Sequence, residues 1–276
     1  MEELSHKLEQ LRHFIRETGK NGAVIAFSGG VDSSTLAAIS REVLGEKAVA
    51  VIAQSPTYTS EELEDAKRVA KEIGIKLFII ETDELSNEDF SRNPENRCYY
   101  CKKALLKNLS DFAHEIEFEA VFEGTNFSDL NDHRPGFQAV KETKNVYSPW
   151  MLNKFTKDEI RQVAKEMGLS VHGKLALACL ASRIPFNERI TAEKLTRIDK
   201  AEQAVKAITG AKQVRVRDHS GLARIEVGKT ERLVFCNVNV LDTVCESLKR
   251  LGFKYVTVDL GGYQSGGMLK TLDRQK

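Results

Sequence analysis

The chain has 276 residues, 41% of them hydrophobic and 29% charged, and its 41 Lys and Arg against 40 Asp and Glu leave a formal net charge of +1. This composition excludes disordered, collagen-like and mucin-like chains and predicts a globular protein of one large or two ordinary domains. The longest apolar runs, such as Ala23–Phe27 and Ala48–Ala53, fall far short of the roughly 18 residues that a membrane helix requires. We therefore expect a cytoplasmic protein without an export signal or a membrane span.

Strands and helices alternate through the first half of the chain. In chain order, the patterns predict a helix over residues 4–15, strand Ala23–Phe27, helix Ser33–Leu44, strand Ala48–Ala53, helix Ser60–Ile73, strand Lys76–Ile80, helix Cys98–Glu115 and strand Glu119–Glu123. Such alternation predicts an α/β fold with a doubly wound parallel sheet, in which ligands bind beyond the carboxyl ends of the strands. We therefore expect functional loops after Phe27, Ala53 and Ile80.

The rest of the chain, after residue 124, adds a long loop and a second set of helices and strands. Residues 125–136 are polar and predict a long loop, and Thr156 with Glu159 forms a capping box before a helix over Ile160–Met167. Beyond it, the patterns predict helix Ala192–Thr209, strands Gln213–Arg217 and Ala223–Val227, helix Val238–Leu251 and strand Lys254–Asp259. We therefore predict two domains, an α/β domain over residues 1–187 and a smaller α+β domain over residues 188–276.

A Ser- and Gly-rich corner between the first strand and the next helix reads Ser28-Gly29-Gly30-Val31-Asp32-Ser33-Ser34. In this position, successive backbone N–H groups and the helix dipole form a cradle for an anion. The corner lacks the Lys of the G-x-x-x-x-G-K-S/T loop and is not a G-x-G-x-x-G fingerprint, so kinase-type and dinucleotide loops are excluded. The alternative to a phosphate loop is a plain Ser/Gly turn that caps the helix.

The sequence SGGVDSS resembles the phosphate loop of the ATP pyrophosphatase (PP-loop) superfamily. The resemblance implies an adenine nucleotide alpha hydrolase-like fold and the transfer of AMP from ATP to a carboxylate or carbonyl oxygen. It also implies that Asp32 helps to place Mg²⁺, that Gln54 borders the adenosine, and that pyrophosphate is held by Ser28, Gly29, Gly30, Val31, Asp32, Ser33 and Ser34. These residue types suit the roles, because hydroxyls donate to phosphate oxygens and carboxylates bind Mg²⁺.

Three of the five cysteines lie in the predicted α/β domain, Cys98 and Cys101 in a Cys-x-x-Cys pair and Cys179 in Ala178–Pro185. A chain without an export signal keeps its thiols reduced, so they are available to bind metals or to react. Three thiolates could hold an iron–sulfur cluster with one open iron, whereas a structural zinc site normally has four protein ligands. A catalytic thiol pair and inert buried thiols are the two alternatives.

The segments Ala178–Pro185, Asp132–Gly136 and Gly262–Gly266 are similar to the ATP-dependent sulfur transferases that build the nickel-pincer cofactor of lactate racemase. In that family, ATP adenylates a carboxylate of a pyridinium dicarboxylate mononucleotide, AMP and pyrophosphate are formed, and sulfur delivery gives a thiocarboxylate. The resemblance implies that Cys179 supplies or anchors the sulfur. Members with one such cysteine give up its sulfur and keep dehydroalanine there, whereas members with three can hold a 4Fe–4S cluster.

This chain has the three-cysteine pattern, so the resemblance implies a cluster on Cys98, Cys101 and Cys179 as a catalytic cofactor beside ATP and Mg²⁺. It also implies a separate sulfur donor, a homo-oligomer, and a ligand contact from Arg134. The family usually has an Arg where this chain has Gln264, which removes one expected positive charge.

Arg215 and Arg217 alternate on a predicted strand, so both side chains project from one face. Two guanidinium groups on one face suit a phosphate. By resemblance, they hold the substrate's phosphate or help to order pyrophosphate, with Glu202 as an acidic neighbour. A solvated strand face is the alternative.

Three rival functions remain open. A PP-loop tRNA thiolase would use three cysteines in the same way, but a nearly neutral chain with few aromatics does not predict nucleic-acid binding. An NAD or GMP synthetase shares the loop but needs no cysteine. A non-catalytic ATP sensor would release no pyrophosphate. We expect a small mononucleotide substrate and no nucleic-acid or membrane partner.

Overall fold

The computed structural model describes residues 2–131, 135–174, 178–264 and 267–268. The chain divides into two units, the first made of Met1–Glu84 and Asn96–Leu177 and the second of Leu85–Glu95 and Ala178–Lys276. The division falls ten residues before the predicted boundary at 187, and the short segment 85–95 joins the second unit. The segment belongs there because backbone hydrogen bonds tie it to the start of that unit, as from the Ile190 N–H to the Ser91 carbonyl, 2.8 Å.

Helices and strands alternate as predicted. Within the described residues, the helices are α1 (Glu2–Thr18), α2 (Val31–Leu44), α3 (Ser60–Ile73), α4 (Glu88–Ser91), α5 (Arg97–Glu115), α6 (Gly136–Glu142), α7 (Pro149–Leu152), α8 (Lys157–Glu166), α9 (Ala192–Thr209) and α10 (Val238–Arg250). The strands are β1 (Ala23–Ala26), β2 (Ala48–Gln54), β3 (Lys76–Glu81), β4 (Ala120–Phe122), β5 (Val146–Tyr147), β6 (Val214–His219), β7 (Leu222–Val227) and β8 (Tyr255–Val258). None of the helices in this part of the chain is long and apolar enough to span a membrane.

The first unit contains a five-stranded parallel sheet in the order β3-β2-β1-β4-β5. The chain leaves β1 toward β2 on one side and later returns to β4 on the other. The carboxyl end of β1 is therefore the point at which the strand order reverses, where parallel sheets of this type open a crevice for ligands. This architecture confirms the predicted α/β class.

Both faces of this sheet are buried, because the central strand is apolar at every position. Ile25 packs into a cluster on one face, whereas its neighbour Val24 packs on the other, as the two-residue period of a strand requires. The first cluster includes Leu11, Leu36, Phe122 and Trp150, and the second includes Val49, Leu106, Leu109 and Val121. A rigid core therefore supports the loops at the carboxyl ends of the strands.

The second unit has a three-stranded mixed sheet, with β6 antiparallel to β7 and β8 parallel to it. Val214 and Val216 point from β6 into an apolar cluster that α9 and α10 complete with Ala201, Val205, Val244 and Leu248. Residues at the intervening positions of β6 face the other side of the sheet, and these are the two arginines of the sequence analysis. The small α+β domain is confirmed as a fold.

Several elements of the first unit have no counterpart among the predictions. Strand β5 is two residues long, and α7 has a single turn, so neither shows a hydrophobic period. The polar segment 125–136 contains a 3-10 turn over Phe127–Asn131 and the first residue of α6.

Candidate functional site

The Ser- and Gly-rich corner lies at the carboxyl end of β1, where α2 begins at Val31. The N-cap residue is Gly30, and no side chain caps the helix. The N–H groups of the first helical turn carry a partial positive charge and are the usual donors to an anion. Gly30 has no side chain to cap the helix, which leaves the N–H groups of its first turn to other acceptors.

Two glycines allow neighbouring elements to approach this corner, which we call the phosphate loop (residues 28–34). Gly29 has φ +66°, and a Cβ atom there would lie 2.9 Å from the Cα atom of Ala66 in α3. Gly124 follows β4, and a Cβ atom on it would lie 3.3 Å from the Ser33 nitrogen. The loop is thus enclosed by α3 on one side and by the end of β4 on another.

The phosphate loop has an accessible side and a buried side. Ser28 is exposed, and Gly30 and Asp32 are partly exposed, whereas the remaining four loop residues are buried, namely Gly29, Val31, Ser33 and Ser34. The hydroxyl of Ser33 accepts the Ser28 N–H at 3.2 Å and lies 3.0 Å from the Ser28 hydroxyl. Ser34 Oγ is buried without a hydrogen-bond partner in the described part of the chain. Of the seven predicted residues, three are therefore accessible to a ligand.

A second carboxylate accompanies Asp32. Asn126, after β4, donates to Asp32 Oδ1 at 3.4 Å, and its backbone N–H donates to Asp129 Oδ2 at 3.1 Å. The charge of Asp129 adds to burial in raising the pKa of the Asp32 carboxyl, while the ammonium of Lys157 acts against this. Two carboxylates at the mouth of an anion cradle are hard oxygen ligands of the kind that Mg²⁺ takes between protein and phosphate.

Two lysines bring positive charge to the loop. Lys157, the first residue of α8, forms an ion pair with Asp32, and the capping box of Thr156 and Glu159 fixes its backbone. Lys174 donates to the Gly29 carbonyl at 3.2 Å and to Asp65 in α3 at 2.8 Å. The capping box could be predicted from the sequence, whereas the two ammonium groups could not, because neither lysine lies within a loop motif.

The loop after β2 is fixed by buried hydroxyl groups. Gln54 is exposed at the end of the strand, and the next residue, Ser55, is buried and donates to the carboxylate of Glu84. Thr82 donates to the same carboxylate at 2.9 Å, and the Ser55 and Thr57 hydroxyls lie 2.9 Å apart. Gln54 therefore lies exposed at the carboxyl end of β2, on a loop that these hydrogen bonds fix, and its contact with adenosine stays a prediction.

The three candidate sulfur or metal ligands belong to different units. Cys98 and Cys101 lie in the first turn of α5, one helical turn apart, with Cys98 exposed and Cys101 partly exposed. Next to them, Lys102 donates to the buried carboxylate of Glu123 at 2.7 Å, which joins this turn to the end of β4. Cys179 lies in the second unit and is partly exposed. Within the described ranges, no three His, Cys, Asp or Glu side chains form a group that could hold a metal ion.

The arginines of β6 lie in a buried charged layer on the face of the sheet opposite the apolar cluster. Arg217 forms two hydrogen bonds with Glu226, at 3.1 and 2.7 Å, and donates a third to the Ser182 carbonyl at 3.0 Å. Arg215 and Arg217 are only 5% and 4% exposed. The alternative of a solvated strand face is therefore wrong.

Arg215 differs from its neighbour in having no carboxylate partner in the described residues. It donates to the Val214 carbonyl at 2.7 Å, and its guanidinium carbon lies 5.4 Å from the ring centroid of Tyr263. Burial lowers the pKa of this guanidinium, and the charge of Arg183 lowers it further. Such a cation gains from a nearby anion.

Glu202 is buried and belongs to the same layer. It binds Arg183 through two hydrogen bonds, at 2.8 and 3.0 Å, and accepts the Val216 N–H at 3.0 Å. Its carboxylate therefore holds Arg183, which also donates to the Cys179 carbonyl at 3.0 Å. Glu202 was predicted from the sequence, whereas Arg183, although it lies in the segment Ala178–Pro185, and Glu226 were not. Arg134 lies outside the described residues.

Comparisons with known proteins give a consistent picture. Residues 3–126 match the family model described as NAD synthase. The chain is 42% identical over 271 residues to an uncharacterized protein of Synechocystis, covering 98% of this chain and all of that relative. It is 36% identical over 251 residues to pyridinium-3,5-bisthiocarboxylic acid mononucleotide synthase of Lactiplantibacillus plantarum, covering 91% of this chain and 90% of the relative. An NH(3)-dependent NAD(+) synthetase of Pyrococcus horikoshii is 30% identical over 167 residues, 59% of this chain and 63% of the relative.

Proposed function

We propose that this chain, which belongs to the PP-loop ATP pyrophosphatase family, is an ATP-dependent sulfur transferase. The proposal is supported by its match, over nine-tenths of its length, to a pyridinium-3,5-bisthiocarboxylic acid mononucleotide synthase. The chain adenylates a carboxylate of pyridinium-3,5-dicarboxylate mononucleotide, and sulfur then replaces AMP to give a thiocarboxylate. The observation that supports the ATP half is the start of α2 at Gly30, beside Asp32 and Asp129, which Asn126 connects by hydrogen bonds.

The nucleotide half of the reaction uses the phosphate loop. The free N–H groups at the start of α2 and the ammonium of Lys157 would hold the pyrophosphate, and Asp32 with Asp129 would hold Mg²⁺. The metal would neutralise charge on the departing pyrophosphate. Gln54 would border the adenosine, because it is exposed on the rim fixed by Ser55 and Glu84.

The substrate half uses the charged layer of the second unit. Arg215 is the stronger candidate for the substrate's phosphate, because its guanidinium is buried without a carboxylate partner in the described residues. Arg217 is saturated by Glu226 and Ser182, so its role is to hold the layer in place. Glu202 contributes in the same way, by orienting Arg183.

Two chemically balanced routes could deliver the sulfur to the acyl adenylate. Attack of the Cys179 thiolate on the acyl adenylate expels AMP and forms a thioester, and elimination then releases the thiocarboxylate and leaves dehydroalanine. A 4Fe–4S cluster held by the thiolates of Cys98, Cys101 and Cys179 would instead supply a transferable sulfide at its open iron. The one-turn spacing and accessibility of Cys98 and Cys101 suit such a cluster, and we propose this second route.

The first test incubates the protein with Mg²⁺, ATP and pyridinium-3,5-dicarboxylate mononucleotide under anaerobic conditions. We expect one AMP and one pyrophosphate for each thiocarboxylate, identified by its mass. ATP-dependent amidation by ammonia would instead identify an amide-forming synthetase, which the match to the NAD synthase model makes the second candidate. Absence of pyrophosphate release with any substrate would favour an ATP sensor, and thiolation of tRNA would identify a tRNA thiolase.

A second experiment tests the cluster by the iron and acid-labile sulfide content of protein purified without oxygen. The three-cysteine proposal requires about four irons per chain, lost on Cys98→Ala, Cys101→Ala or Cys179→Ala. Iron-free protein whose Cys179 loses the mass of H₂S after one turnover would establish the sacrificial route. We further propose a homo-oligomer in the cytoplasm, supplied by a separate sulfur donor.

A further inference from the structure

Lys174 occupies an unusual position, because its ammonium touches the backbone of the phosphate loop rather than its accessible side. It donates to the Gly29 carbonyl at 3.2 Å, and Asp65 of α3 accepts a second hydrogen bond at 2.8 Å. The lysine side chain is 18% exposed. Burial raises the pKa of the Asp65 carboxyl, but Lys174 and Arg68 together hold it below its usual value, so Asp65 is charged and keeps the ammonium in place.

The contact controls the direction of one peptide group. The C=O and N–H of a trans peptide point in opposite directions, so a carbonyl of Gly29 directed at Lys174 turns the N–H of Gly30 to the opposite side. There the Gly30 N–H donates a long hydrogen bond of 3.4 Å to the hydroxyl of Ser28, the exposed residue of the loop. Gly29 has φ +66°, a conformation from which the peptide can rotate, because glycine has no Cβ to restrict it.

The segment that carries Lys174 is itself firmly attached to the first unit. Ser170 donates through its N–H and its hydroxyl to Glu72 at 2.7 and 2.6 Å. Arg161 of α8 donates to the His172 carbonyl at 2.6 Å and to the Lys174 carbonyl at 2.8 Å. The backbone of Lys174 is thus fixed before its side chain reaches the loop.

We propose that Lys174 is a positioning residue of the phosphate loop, which holds the Gly29–Gly30 peptide so that the Gly30 N–H faces the pyrophosphate portion of ATP. This inference rests on the proposed ATP site and adds a residue to it. Lys174 acts on the phosphate-binding half of that site alone, because its contacts are with Gly29 and Asp65 and not with the rim around Gln54.

The test compares binding of Mg·ATP and of adenosine to the full chain by calorimetry. In Lys174→Met, loss of a charge-assisted hydrogen bond weakens ATP binding about tenfold to a hundredfold, while adenosine binding changes less than about twofold. Lys174→Arg restores most of the ATP affinity, since a guanidinium can donate to both acceptors. Lys67→Met is the control, because this exposed lysine of α3 pairs with Glu64 at 2.7 Å and, among the residues that the structure describes, has no contact with the phosphate loop.

Equal weakening of ATP and adenosine, or unchanged ATP affinity in a folded Lys174→Met protein, overturns the inference. If Lys174→Met does not fold, Asp65→Asn removes the charge that holds the ammonium and must weaken ATP more than adenosine. If the unmodified protein binds no ATP, the proposed function fails, and hydrogen exchange in the ligand-free chain decides separately about Lys174. Lys174→Met must then speed exchange of the Gly30 amide relative to Lys67→Met, and unchanged exchange refutes the positioning role.

Discussion

The buried pair of Arg217 and Glu226 in the second unit gives the sharpest stability prediction. The two side chains are 5% and 3% exposed and share hydrogen bonds of 3.1 and 2.7 Å. Glu226→Leu removes this partner of Arg217, a carboxylate that also pairs with Arg224 at 3.2 Å, and leaves the Arg217 guanidinium charged in a buried site. Breaking a buried pair in this way costs about 3–5 kcal/mol, a large part of the roughly 5–15 kcal/mol that stabilises a protein of ordinary size.

The chain offers a matched control in Glu246, which pairs with Arg250 at 3.3 Å on the surface of α10, where the two side chains are 72% and 76% exposed. Glu246→Leu removes the same charge from a pair worth about 0–1 kcal/mol. Urea unfolding of the full chain, followed by circular dichroism, gives both free-energy changes. We expect the midpoint to fall sharply for Glu226→Leu and to stay nearly constant for Glu246→Leu.

A double variant separates the charge penalty from the loss of packing. Arg217→Met combined with Glu226→Leu removes both charges, and it should recover a large share of the loss seen with Glu226→Leu alone. Equal losses for Glu226→Leu and Glu246→Leu would refute the reasoning, because the layer would then be open to water.

Three further predictions concern the first unit. Gly29→Ala places a Cβ atom 2.9 Å from the Cα atom of Ala66 at φ +66°, and should cost at least about 1–2 kcal/mol in urea unfolding and weaken ATP binding. Asp129→Asn removes one of two paired carboxylates, so the Mg²⁺ concentration for half-maximal pyrophosphate release should rise about tenfold or more, while adenosine binding stays constant. The Lys102 ammonium and hydroxyl donors hold the pKa of Glu123 below its usual value despite burial, so Glu123→Gln should destabilise the protein at pH 7. The difference in unfolding free energy between the unmodified protein and Glu123→Gln should become smaller as the pH falls below about 4.3, the pKa of a glutamate in the unfolded chain. A difference that stays constant with pH would contradict this prediction.

The phosphate loop and its sheet could be predicted from the sequence because each rests on a local pattern. The bounds of α3 and α9 agree with prediction at both ends, since capping residues and an apolar period mark them. Strand β5 has two residues and therefore no period to read. Segment 85–95 could not be assigned to the second unit, because hydrogen bonds with residues about 90 to 100 positions away attach it there, such as that from the Asn93 side chain to the Pro185 carbonyl at 2.7 Å.

The site residues show the same contrast between those that lie in a local motif and those that only the fold brings together. Asp32 lies within a motif, but its neighbour Asp129 is brought to it by the return of the chain through β4, and the rule that ligands bind at carboxyl ends of strands could have found it. Arg215 and Arg217 were equivalent in sequence, being two residues apart on one strand. They differ in the fold, because Glu226 on the neighbouring strand lies within reach of Arg217. Cross-strand pairing of this kind leaves no trace within either segment.

The central claim is that ATP activates a carboxylate of the substrate. The most direct measurement uses pyridinium-3,5-dicarboxylate mononucleotide labelled with ¹⁸O in both carboxylates, with Mg·ATP and the anaerobically purified protein, and determines the isotope content of the AMP by mass spectrometry. A carboxylate oxygen that attacks the α-phosphorus leaves with AMP when sulfur displaces AMP from the acyl adenylate. We therefore expect one ¹⁸O in AMP for each thiocarboxylate formed. AMP without label, formed together with thiocarboxylate, would contradict it.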